Sequence, residues 1–250
     1  MLAFTVTALT VPASAAAADD GTLIVADPLP GFGLTEGGSL NGPIDAGTLL
    51  EVQGTDPKDV PKEAREFKGE ARTWRNTEGS TAIAFVLDCG DIESASDFLH
   101  GALEGSTKTS DGTFDSGMVG SAGFVVGTAD QPVRSVLWRQ SHYFVEVIVV
   151  GAAGASISTV TTELANDQAA FLQPRHGAPT LDTSAGKESN DTSVAYQVGR
   201  LAGTSMIVGF VVLLIRNRQR RRAEQRAHEA RFALPPPPFV RPVTAPPQDE

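Results

Sequence analysis

Fifteen consecutive residues without a charge, Leu201 to Ile215, run straight into Arg216-Asn217-Arg218-Gln219-Arg220-Arg221-Arg222. No other segment restricts the chain as much, because a helix that is apolar all round has to be covered on every side. Fifteen residues are short for a bilayer. Extended back to Val194, the segment has 22 residues, about 33 Å at a rise of about 1.5 Å per residue, which matches a hydrocarbon core of about 30 Å. The extension encloses Arg200, about 22 Å up the helix from Ile215 and within snorkelling reach of the outer headgroups. Residues 194–215 are therefore predicted to form one transmembrane helix. Arg216, Arg218, Arg220, Arg221 and Arg222 would then face anionic lipid headgroups on the cytoplasmic side.

The other end agrees with that orientation. Met1 to Val11 is mostly apolar, and Pro12-Ala13-Ser14-Ala15 follows with small residues at the positions a signal peptidase reads. Residues 1–18 read as an export signal, although no Lys or Arg precedes the apolar run. Charge divides the same way. From Arg216 onward eight Arg face four acids, a net of +4, whereas before Arg200 eleven Lys and Arg face 26 acids, a net of −15. So acidic a body points away from nucleic acid as a partner. Localisation follows as a single-pass membrane protein, N-terminal domain outside and C-terminus cytoplasmic.

Within the body, residues 19–66 are rich in turn formers such as Asp27-Pro28-Leu29-Pro30-Gly31 and Gly37-Gly38-Ser39; they read as an extended arm. A domain over 67–173 follows. Ala71–Asn76 and Thr81–Leu87 are β-prone runs around Thr77-Glu78-Gly79-Ser80, a hairpin signal. Asp91 then caps a helix with Ile92, Ala95, Phe98, Leu99, Ala102 and Leu103 at helical spacing and Gly105 as its stop. The order recurs: Val133–Arg139 and Tyr143–Val150 flank Gln140-Ser141-His142, and a helix over 156–172 follows. Trp74-Arg75 precedes the first turn and Trp138-Arg139 the second, and these are the only tryptophans. The expected fold is α+β: duplicated strand-strand-helix units forming a mostly antiparallel sheet with both helices on one face, plus the transmembrane helix. Residues 120–128 add a further strand. Residues 174–193 read as a flexible linker, and 216–250 as a basic, proline-rich cytoplasmic tail.

Chemistry is sparse. One cysteine, Cys89, excludes an internal disulfide framework. His100, His142 and His176 are scattered, and no spacing fits a metal site, a cofactor or a catalytic set. Asp88, Asp91, Glu93 and Asp97 crowd a helix start, where carboxylates favour the helix dipole. Trp74, Arg75, Trp138 and Arg139 form the one ligand-platform candidate, since an aromatic face beside a guanidinium suits anions and sugars. Alternation along a strand argues the other way, burying Trp and leaving Arg in solvent. Ala195, Gly199 and Gly203 recur at four-residue intervals, a small-residue stripe on which two copies of the span could pair as a homodimer.

The Ala-rich signal, the Pro-Gly-Phe arm, the duplicated unit with Trp-Arg and the short Arg-rich tail resemble single-span cell-envelope proteins of high-GC Gram-positive (actinobacterial) bacteria that are themselves uncharacterised. The resemblance covers layout, implies an envelope setting and supplies no site residues. The expected function is non-enzymatic: an extracytoplasmic domain that binds a ligand or protein, with the bilayer as its other partner. The alternatives are a scaffold whose tail recruits a cytoplasmic partner, and an extracytoplasmic hydrolase.

Overall fold

A computed structural model of the chain describes residues 22–25, 29–35, 40–184 and 193–204. Its centre is two hairpins. Strands β3 (Lys68–Asn76) and β4 (Thr81–Asp88) form the first, and β7 (Gln131–Gln140) and β8 (Tyr143–Val150) the second. The hairpins join through β4 and β8, and the sheet runs β1-β3-β4-β8-β7-β6-β5, with β1 (Phe32–Leu34) and β2 (Gly42–Asp45) both on β3. Strands β5 (Gly112–Phe114) and β6 (Ala122–Thr128) extend the far edge. Every pairing among the described residues is antiparallel.

The two tryptophans take equivalent places. Trp74 pairs with Ala82 on the return strand of its hairpin, and Trp138 with Val145. Both lie on one face of the sheet, in one cluster with Ala82, Ala84, Val86, Val145, Val147 and Val149. Both hairpins of the expected duplication therefore form, within one antiparallel sheet.

The duplication fails for the helices. Helix α3 (Ser158–His176) supplies Leu164, Ala165, Ala169 and Leu172 to that tryptophan cluster. Helix α2 (Ile92–Thr109) packs on the other face, where Phe98 meets Phe144 at 4.7 Å between ring centroids. Phe144 alternates with Tyr143 and Val145, both members of the tryptophan cluster, so it points the opposite way. The sheet thus lies between helices instead of carrying both on one face. Three residues, 89–91, link β4 to α2, and seven, 151–157, link β8 to α3.

Two boundaries also moved. The segment expected as an extended arm contributes β1, β2 and helix α1 (Ala46–Val52), capped by Asp45, whose side chain accepts from the Thr48 amide at 2.8 Å. Ile24 and Leu29 sit in the tryptophan cluster. Helix α2 runs past Gly105, the expected stop, to Thr109. Gly105 is there for close approach: a Cβ would fall 2.5 Å from the carbonyl oxygen of Arg200.

That neighbour belongs to a further helix, α4, over 194–204. Residues 194–204 of the expected span lie along α2, and 205–215 lie outside the described residues, as do the arginines from Arg216 and the expected signal, 1–18. Among the described residues no helix is long and apolar enough to cross a membrane. The linker expected over 174–193 is partly docked: α3 continues to His176, and Thr180 exchanges backbone hydrogen bonds with Arg139 at 3.0 and 2.9 Å.

Candidate functional site

The platform candidates do not meet at a surface. Trp74 and Trp138 are each 0 % exposed, and they stand on strands separated by β4 and β8, roughly 14 Å apart at three strand spacings. The Trp138 indole donates to Gln140 Oε1 at 3.1 Å, and Gln140 Nε2 donates to the Ala169 carbonyl at 3.2 Å. Each buried polar atom named here has its partner inside the fold. Arg75 is half-buried. Arg139, which alternation would leave in solvent, is buried; its guanidinium donates to the Ser141 carbonyl at 3.0 Å and to the Asp182 carbonyl at 3.3 and 3.2 Å. Those bonds clip residues 180–182 to the domain. Ala195, Gly199 and Gly203 are buried, and the two glycines press on the carbonyls of Phe98 and Ala102 of α2. The face expected to join two copies is covered from within one.

What the fold does bring together are side chains that look scattered in sequence. Asp88 ends β4, Ser141 and His142 make the two-residue turn of the second hairpin, Tyr143 opens β8 directly opposite Asp88, and His176 ends α3. Ring centroids lie 4.2 Å apart for His142 and Tyr143, 4.6 Å for Tyr143 and His176, and 5.9 Å for the two histidines. His142 Nε2 is 3.7 Å from Asp88 Oδ1. Burial, aided by the positive neighbours His142 and Arg175, lowers the His176 pKa; burial and then the Asp88 charge raise that of the Tyr143 phenol. The cluster offers two imidazoles, a phenol and a carboxylate on one solvent-reaching rim.

Ser141 Oγ is 3.2 Å from His142 Nδ1, and Ser141 is the one non-glycine with positive φ among the described residues, at 58°. Those two features invite comparison with an activated serine. The third member does not close: 3.7 Å from His142 to Asp88 exceeds a hydrogen bond, and Asp88 Oδ1 already accepts from the Gly90 amide at 2.8 Å. Nor do the groups make a metal centre, since among the described residues no three His, Cys, Asp or Glu converge as ligands. The acids around the start of α2 have local work as well, Asp91 accepting from the Ser94 amide at 2.7 Å.

One further group escaped the sequence reading. Glu146, at the middle of β8 and 1 % exposed, lies on the α2 face of the sheet between Phe85 and Leu137, its two cross-strand neighbours. Ser135 Oγ bonds Oε1, and Oε2 has no partner. Burial pushes this carboxyl up to about 8, the serine only partly opposing. A single acid inside Tyr-Phe-Val-Glu-Val-Ile-Val-Val is a signal that was there to be read. No family model, no curated protein and no solved structure matches the chain.

Proposed function

We propose that this chain is an exported, membrane-tethered binding protein whose recognition surface is the rim of Ser141, His142, Tyr143 and His176. The observation that carries the recognition part is the convergence of three rings from two elements within 4.2–5.9 Å, the two histidines partly exposed and packed against Tyr143, which the core holds in place. Aromatic faces with polar edges suit sugars, peptides and other ligands that offer both apolar and hydrogen-bonding surface. The tether part rests on the sequence: the uncharged run Leu201–Ile215, the arginines after it, the small-residue site after the N-terminal apolar run, and the resemblance to envelope proteins. The membrane anchors the chain and the acidic body disfavours nucleic acid.

Topology is tested with an enzyme reporter that works only outside the cytoplasm. Fused after Gln173 it should be active, and fused after Arg222 silent; the opposite pattern overturns the tether. For the rim, a photo-crosslinking amino acid at His142 in intact cells should give an adduct that His176→Ala abolishes. The same group at the exposed Asp111, in the segment between α2 and β5, should give none.

A further inference from the structure

We infer that α4 has two mutually exclusive partners, helix α2 and the bilayer, so that any one chain is either docked and unanchored or inserted. The inference rests on the tether reading above and adds to it a second, unanchored state.

The docked form is built with unusual closeness. Gly101 and Gly105 on α2 face Gly199 and Gly203 on α4, each pair four residues apart. A Cβ at Gly101 would stand 2.6 Å from the Arg200 amide nitrogen, and one at Gly105 would stand 2.7 Å from that of Thr204. Backbone therefore lies on backbone, an arrangement only small residues permit. Around the contact Tyr196, Val198 and Ala202 are buried. A polar clasp closes its edge: Glu104 accepts from the Tyr196 hydroxyl and from Lys108, and Arg200 Nε lies 3.8 Å away. Lys108, Tyr196 and Arg200 together hold the Glu104 carboxyl well down, at about 2.

The inserted form needs the same residues. With 194–204 on α2, only the 11 residues 205–215 remain before Arg216, about 16 Å of helix against a core of about 30 Å. With 194–204 in the bilayer the helix is long enough, and Thr204 lies at its midpoint. Both cannot hold at once. Insertion strips the cover from Phe98, Gly101, Ala102 and Gly105, so the state of the tether is written on the outer surface of α2.

Thr204 makes the two forms distinguishable, since its side chain is exposed when α4 is docked. The full chain carrying Thr204→Cys would be treated with a membrane-impermeant maleimide in intact cells together with their medium, so that unanchored chains are counted. Cys89, buried and with its thiol pushed up to about 12, stays unlabelled. We expect a labelled docked fraction in the parent. Gly101→Leu with Gly105→Leu, which α4 cannot accommodate, should cut that fraction at least fivefold; Glu104→Gln, which loosens only the clasp, should cut it about twofold. Val211→Lys, which opposes insertion, should raise it. Near-ultraviolet dichroism of Trp74 and Trp138, on the far face of the sheet, confirms that the domain stays folded. Labelling indifferent to all three changes overturns the inference while leaving the tether in place. Complete release of the parent chain by alkaline carbonate instead overturns the tether reading itself.

Discussion

The two hairpins share one arrangement, and the helices that follow them do not. Trp74 and Trp138 hold matching places, each opposite the return strand of its own hairpin and on the same face. Move one position along that return strand and the match ends. After Ala82 comes Ile83; after Val145 comes Glu146. The first unit buries a hydrocarbon on the α2 side, the second a carboxyl with one oxygen unpartnered. Helix α2 moreover lies mainly over β6, β7 and β8, so both helices grip the second hairpin, from opposite sides. Pattern repeats preserve strands because a hairpin is local; they do not preserve helix placement, which depends on what the neighbouring hairpin leaves uncovered.

The largest effect that would break this comparison is at the tryptophans. Trp74→Ala and Trp138→Ala should each cost about 3–5 kcal/mol, the range for removing a fully buried aromatic, read from denaturant midpoints. If the equivalence extends to energetics, the two losses agree within about 1 kcal/mol. A much larger loss at Trp138 would set the second hairpin apart through Gln140, which links its indole to α3.

Next in size is Glu146. Its pKa in the fold, about 8, lies above the ordinary carboxyl value of 4.5, so the folded state holds a proton that the unfolded state has lost. Stability should therefore fall as pH rises from about 4.5 to about 8, with a slope of up to about 1.4 kcal/mol per pH unit, and level off beyond. Glu146→Gln should abolish that slope and so stabilise the protein more at pH 8 than at pH 5. Chemical denaturation at pH 5 and at pH 8 checks both, and an unchanged slope would remove the contrast with Ile83.

The smallest effect separates the turns. Gly79 in the first has φ of 93°, and Ser141 in the second has 58°. Gly79→Ala should destabilise by about 1 kcal/mol, and Ser141→Gly should stabilise by less than about 1 kcal/mol, because a side chain is strained in the left-handed region. Stabilisation by Ser141→Gly joined to loss of the rim's crosslinking would show strain retained for recognition.

How far these features were legible follows from their range. The hairpins announce themselves through alternation, Trp-Arg and turn residues, all within about twenty positions. Strands β1 and β2 do not: Phe-Gly-Leu and Gly-Pro-Ile-Asp are too short to show a period, and only pairing with β3 makes them strands. Gly105 misleads because a glycine that ends a helix and one that lets a second helix approach look the same in sequence. The rim was invisible for a similar reason. Asp88, His142 and His176 come from three elements, and no spacing connects them. Glu146 was different: its anomaly stood in plain view within an apolar strand.

Cys89 has one more consequence. It is the only thiol in the chain, buried beside the start of α2, with its pKa driven to about 12 chiefly by desolvation. The thiolate that would attack an oxidant or a second thiol is then nearly absent at neutral pH. The domain can therefore stand in an oxidising compartment without stapling itself to a neighbour. Any dimer of the native chain should run as a monomer in a non-reducing denaturing gel.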